Sequence, residues 1–251
     1  MGIPLCTVVI PASHAEKTIA LTLDSLLAQT CPLWLAQIVI DGSAGNEATY
    51  AIARAYADRD TRFHIQINEY NQGVAAARNR GVASACTPWV AFLDSDDVFH
   101  PEKLEKQLAL AEKKDADFTC CAYNMLTYPD RKLRKVSQVP EKITYSAMVK
   151  KNLAGCSTVM LKTDLARKHP MLNNVIHEDY LCWLECLRDR DGWGITEPMV
   201  DILLMPHSRN ANKLRSVKGV WEIYRKHLHL GYYSAVSYMN KYAISCIFKY
   251  I

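Results

Sequence analysis

Short apolar runs alternate along the first half of the chain with longer stretches whose apolar residues recur every three or four positions. Leu5–Ile10 (LCTVVI), Leu35–Ile40 (LAQIVI), Arg62–Ile67 (RFHIQI) and Trp89–Asp94 (WVAFLD) read as strands, the first ended by Pro11. Glu16–Thr30 carries Ile19, Leu23, Leu26 and Leu27 at helical spacing, and Asn46–Asp60, Val74–Ala85 and Glu105–Asp115 continue the helical pattern. Four strand-loop-helix units predict an α/β domain with a Rossmann-like, mostly parallel central sheet flanked by helices. Ligands of such sheets bind beyond the carboxyl ends of the strands. Asp41 follows the second strand, Asn71 and Gly73 the third, and Asp94 and Asp96 the fourth.

The pattern loosens after Asp117. Asp117–Pro140 predicts a hairpin with a basic return strand, Tyr145–Leu153 a helix, Ser157–His169 a strand leading to a short helix, Glu178–Gly192 a helix, and Trp193–Ser208 extended structure. From Lys213 onward Trp221, Tyr224, Leu228, Tyr232, Ala235 and Met239 recur at helical intervals among Lys213, Arg215, Lys218, Arg225, Lys226, Lys241 and Lys249. That is an aromatic, basic helical extension, suited to a membrane surface, to the catalytic domain itself or to a second subunit. With no Pro-, Gly- or Ser-rich linker, one domain over residues 1–212 is expected, its halves 1–97 and 98–212, followed by the 213–251 segment.

Composition narrows the function. The 251 residues carry 30 Lys and Arg against 26 Asp and Glu, a net charge of +4 that gives no reason to expect nucleic acid but leaves room for an anionic ligand. The nine cysteines lack the paired CxxC spacing of a zinc site, so reduced thiols and a cytoplasmic location are expected. The start, MGIPLCTVVIP, does not read as a signal peptide, and no run reaches the roughly 18 apolar residues of a membrane span.

Four segments can carry chemistry. Asp94, Ser95 and Asp96 form a D-x-D directly after a strand, an oxygen-rich pattern suited to a hard divalent ion carrying phosphate; the alternative is a solvated turn in which Asp97 caps the helix starting near Pro101. Asp41 before Gly42 can accept an N–H from a planar heterocycle, or it and Ser43 can cap the helix from Asn46. In Asn71–Gly81, Arg78 and Arg80 do not share a helix face, so at most one aims at a ligand; the segment is neither G-x-G-x-x-G nor a Walker loop. Glu178 and Asp179 open a helix backed by Trp183 and Leu184, where one carboxylate can act as general base and the other can cap or orient.

Together VVIPASHAEKTIALTLDSLLAQT, IVIDGSAGNE, NQGVAAARNRG, WVAFLDSDD, HPEKLEKQL and HEDYLCWL, in this order, resemble a family 2 inverting glycosyltransferase of the GT-A fold, like those that build bacterial cell-surface polysaccharides. The resemblance implies a UDP-sugar donor whose uracil is read by Asp41, with Pro11 and Ala12 lining the nucleoside pocket. It also implies that Arg78 approaches the base or diphosphate and that Asp94, with Ser95 beside it, contacts the ribose or sugar. Asp96 would ligate Mn2+ or Mg2+, Asp179 would be the base with Glu178 its neighbour, and His207 would lie near the metal or diphosphate. The chain departs from the family where Ile40 and Gly45 replace acidic residues, where ASHAE follows the first strand, and where Met205-Pro206 replaces a Tyr-Arg pair.

The implied reaction is a single displacement onto a hydroxyl of a glycan or lipid-linked glycan, at the cytoplasmic face of a membrane. A metal-dependent nucleotidyltransferase and a noncatalytic nucleotide-sugar-binding scaffold are the alternatives. The first would release pyrophosphate and the second would turn nothing over.

Overall fold

The computed structural model describes residues 2–204 and 213–250. The first half holds β1 (Cys6–Ala12), α1 (Ile19–Leu27), β2 (Trp34–Asp41), α2 (Glu47–Ala57), β3 (Phe63–Asn68), α3 (Val74–Ser84) and β4 (Trp89–Phe92). It continues through β5 (Val98–Phe99), α4 (Lys103–Lys114), β6 (Phe118–Thr127), β7 (Leu133–Ser137), β8 (Lys142–Ile143), α5 (Tyr145–Lys150), β9 (Met160–Lys162), α6 (Thr163–Lys168), α7 (Glu178–Cys186), β10 (Gly192–Leu204), α8 (Lys213–Glu222) and α9 (Tyr232–Tyr250).

One sheet runs β3-β2-β1-β4-β9-β6-β10-β5, with β7 beside β6 and β8 beside β10. β1 to β4 are mutually parallel, and β9 runs against both β4 and β6. Two reversals restore the direction, so β6 and its parallel partner β10 end on the same edge as β1–β4. Every strand carboxyl end that can contribute to a site therefore opens on one side.

Strand side chains alternate between faces. Val9, Val90, Phe92, Cys120 and Ala122 join a core with α3, α5, α6 and α7, while Val8, Ile10, Ala91, Leu93, Cys121 and Tyr123 join a second core under α1, α2 and α4. Burying each large apolar side chain contributes about 1.5–3 kcal/mol, which is why these runs are apolar on both faces. β1 runs one residue past Pro11. The proline nitrogen lies on the β4 side, as Val9 does, but the β1–β4 ladder ends at the Val9–Phe92 pair, so no sheet hydrogen bond is lost.

The C-terminal segment is two helices. A π-helical turn at Ile223–His227 and a bend through Gly231 separate α8 from α9. The extra residue of a π turn breaks the three-to-four spacing, so the expected single stripe divides. Tyr224 and Ala235 are fully buried in the core with Val220 and Ile223, whereas Tyr232 is exposed. The Tyr224 hydroxyl donates to the Val149 carbonyl at 2.5 Å, and the Tyr180 and Tyr242 rings lie 6.0 Å apart. Among the described residues no helix is long and apolar enough to cross a membrane.

Candidate active site

Beyond β4 the chain turns through Asp94–Asp97, the Asp97 N–H donating to the Asp94 carbonyl at 3.0 Å. Ser157 fastens this turn: its hydroxyl accepts the Asp94 N–H at 3.0 Å and donates to Asp97 Oδ2 at 2.5 Å. Asp97 Oδ1 in turn accepts the Leu203 N–H of β10 at 3.3 Å. Asp97 thus braces the loop from inside and does not cap α4, which begins at Lys103 without a side-chain cap. Burial, reinforced by the Asp96 and Asp94 charges, pushes the Asp97 carboxyl well above the ordinary carboxylate range.

Arg78 reaches this turn from α3. The helix lies close to β1 because Gly81 has no Cβ; one would stand 2.4 Å from Val9 Cγ1. Arg78 is 3% exposed, and its guanidinium spans two carboxylates, donating to Asp94 Oδ1 at 2.7 Å and to Glu178 Oε1 at 3.0 Å. Its Nε has no partner among the described residues. Burial works against the charge, yet Asp94, Asp179 and Glu178 together hold the guanidinium well above its ordinary pKa. The cation shared by these crowded carboxylates is therefore an arginine inside the protein. With both of its arms engaged, Arg78 lies between the Asp94 and Glu178 carboxylates. Arg80 points the other way, to Gln66 Oε1, the Ile67 carbonyl and Asn68 Oδ1 at the end of β3.

Asn79, next on α3, pairs with the backbone of Met171, accepting its N–H at 2.9 Å and donating to its carbonyl at 2.7 Å. This anchors the chain leading to α7. Glu178 and Asp179 form the first turn of that helix, where the helix dipole favours ionised carboxylates. Asp179 accepts the Tyr180 N–H at 2.8 Å, and Trp183 and Leu184 are fully buried behind the pair.

Asp41 is 4% exposed and largely engaged by the chain itself. Oδ1 accepts from Asn68 Nδ2 at 2.7 Å and the Gln72 N–H at 2.9 Å, and Oδ2 accepts the Gly73 N–H at 2.8 Å. It fixes the loop before α3 and does not cap α2, and Gly42 turns away from it at φ 97°. Pro11 and Ala12 are buried within β1; the exposed residues at this end are Ser13 and His14. The His14 ring occupies space that a side chain at Gly45 would need, with His14 Cε1 3.0 Å from where a Cβ would stand.

Among the described residues no three His, Cys, Asp or Glu side chains gather as a metal cage. Asp96 is half-buried beside Asp94, whose side chain is 31% exposed. Such an open set suits Mg2+-like ions, which take one or two carboxylates and complete their shell with phosphate oxygens and water. His207 lies outside the described residues. Ser157 and Asn79 had no signal in sequence, since each is an ordinary polar residue whose partner lies far away in the chain.

Residues 7–163 match the family model for Glycosyl transferase family 2. The chain is 31% identical to TuaG of Bacillus subtilis, named as a teichuronic acid biosynthesis glycosyltransferase, over 98% of this chain and 97% of that one. It is 30% identical to WfgD of Escherichia coli, named as a UDP-Glc:alpha-D-GlcNAc-diphosphoundecaprenol beta-1,3-glucosyltransferase, over 87% and 85% of the two chains. Staphylococcus aureus TarS in complex with UDP-GlcNAc superposes with a TM-score of 0.72 at 20% identity, over 88% of this chain, which spans 64% of that one. A mannosyltransferase of Pyrobaculum calidifontis in complex with GDP-Man and Mn2+ gives 0.67 at 16% identity, over 92% and 66% of the two chains. The fold is the GT-A fold of these transferases, and the chain belongs to glycosyltransferase family 2.

Proposed function

We propose that the protein transfers a sugar from a UDP-sugar to a hydroxyl of a lipid-linked glycan, with inversion, in the synthesis of a cell-surface polysaccharide. The observation that carries this reading is the Arg78 bridge, which joins the D-x-D turn to the Glu178–Asp179 pair across 100 residues of sequence. The names of TuaG and WfgD, relatives over most of their length, support the polysaccharide context.

Asp179 takes the proton of the acceptor hydroxyl as that oxygen bonds to the anomeric carbon. The bond from that carbon to the diphosphate oxygen breaks with its electron pair, UDP leaves, and one displacement inverts the configuration. Glu178, held by Arg78, keeps the first turn of α7 in place while Asp179 faces the acceptor. Asp94 meets the ribose or sugar, with Ser95 next to it. Asp96 would hold Mn2+ or Mg2+, which supplies charge neutralisation for the departing diphosphate. Asp41 holds the Gln72–Gly73 loop beside the base and offers the remaining lone pair of Oδ2 to the uracil N–H.

Calorimetric titration with UDP, GDP and CDP, in Mn2+ and in EDTA, tests the donor. Metal-dependent preference for UDP is expected; preference for another nucleotide contradicts the donor assignment.

The C-terminal segment adds a surface for membrane association. Tyr232 and Tyr233 at the start of α9 are 61% and 89% exposed, and Arg225 and Lys226 in the preceding π-helical turn are exposed as well. Aromatic and basic groups together suit an anionic interface. Co-flotation with vesicles containing anionic lipid, weakened by Tyr232→Ser with Tyr233→Ser, is expected; no co-flotation of the wild type contradicts it.

A further inference from the structure

α8 grips the two residues that lead into α7. His177 Nε2 lies 2.7 Å from Ser216 Oγ, and Gly219 packs so closely that a Cβ there would stand 2.6 Å from Ile176 Cβ. His177 adopts the left-handed conformation, φ 64° and ψ 50°, which is uncommon for a residue with a side chain and sets the direction in which the chain enters α7. Its ring makes no capping bond to α7 and is turned instead to α8.

We infer that the Ser216–His177 contact is a positioning clamp for the Glu178–Asp179 pair, so that the C-terminal segment completes the active site. The inference rests on the reading of Asp179 as base. Arg78 fixes where the Glu178 carboxylate lies. The direction in which the chain leaves His177 sets the direction of the first turn of α7. Asp179 bonds to the Tyr180 N–H of its own helix, so its aim follows that turn. A serine on α8 thereby governs the aim of a base it does not touch.

The test compares Ser216→Ala and Ser216→Thr with the wild type, in sugar transfer and in hydrogen exchange of the backbone amides of residues 178–184. Ser216→Ala is expected to lower kcat roughly tenfold or more, as small misplacements of reacting groups do, with the donor KM within about twofold. Threonine, which keeps the hydroxyl, restores kcat. Exchange across residues 178–184 quickens in the alanine variant and not in the threonine variant. Unchanged kcat in Ser216→Ala, a loss that threonine fails to reverse, or unaltered exchange would each overturn the clamp. A wild type that transfers no sugar from any UDP-sugar would sink the proposed function instead, and the exchange comparison would still decide whether the clamp exists.

Discussion

Arg78 Nη1 lies 3.0 Å from Glu178 Oε1, although 100 residues separate the two in sequence, and the other arm of the same guanidinium holds Asp94. A planar fork can serve two carboxylates at once, whereas an ammonium is a single point charge. Removing it leaves Asp94 and Glu178 without their shared cation. Arg78→Ala is therefore expected to lower folding stability, by less than the roughly 3–5 kcal/mol of a fully buried pair because water still reaches Asp94. Arg78→Lys should fold better than alanine yet transfer poorly. Denaturant titration and a transfer assay check both, and a fully active lysine variant would contradict the need for the fork.

The carboxylates of the D-x-D turn have separate duties. Asp97 is turned inward to Ser157 and Leu203, while Asp96 is only half-buried. Asp96→Ala should weaken UDP binding in Mn2+ and leave binding in EDTA unchanged. Asp97→Asn should retain metal-dependent binding, because the amide can keep bonds to both internal partners. Calorimetry on the two variants reads this directly; equal losses would show that the turn acts as one unit.

Gly81 lies one helical turn beyond Arg78 on α3, against Val9 of β1. A methyl group there must displace either Val9 or the helix. Gly81→Ala is expected to cost about 1–3 kcal/mol, the usual range for overpacking, and to lower Tm and transfer together because Arg78 moves with α3. Thermal unfolding without any loss of Tm would contradict so close an approach of α3 to β1.

Lys103 is wholly buried, its Nζ 2.6 Å from Gln107 Oε1 and 3.9 Å from the centre of the Phe99 ring. Burial lowers its pKa from 10.5. In the pH range between its folded value and 10.5 the unfolded chain binds the extra proton, so this group's contribution to stability rises with pH there and is smallest below the folded value. The buried thiols of Cys6 and Cys121, pushed up to about 12 and about 11 by burial against a lowering influence of the Lys103 charge, act in the opposite direction; losing Lys103 pushes them further up in the variant and so adds to the difference in the same sense. The stability of wild type relative to Lys103→Met should therefore increase as pH approaches 10.5. A difference independent of pH in denaturant titrations would contradict a depressed lysine.

The parallel half of the sheet was legible because β1, β2 and β4 are apolar on both faces and each ends at a turn residue or a carboxylate. Asp94, Asp96, Glu178 and Asp179 were legible as motifs, and the structure brings Asp94 and Glu178 onto one arginine. The role of Arg78 between them was not, since nothing local distinguishes an arginine that meets a ligand from one that meets carboxylates. Ser157 and Asn79 were hidden for a similar reason: each matters through a partner 60 or 92 residues away. β5, two residues long, was lost in the polar loop after Asp97. The break between α8 and α9 escaped because the aromatic spacing continues across the π-helical turn that disrupts it.

The central claim, that Asp179 removes the acceptor proton beside a separately built donor site, is tested most directly by Asp179→Asn. The asparagine variant should titrate UDP in Mn2+ as the wild type does while its transfer rate falls by about 10²–10⁴-fold, the usual contribution of a general base. Wild-type transfer by that variant would contradict the assignment of Asp179 as base.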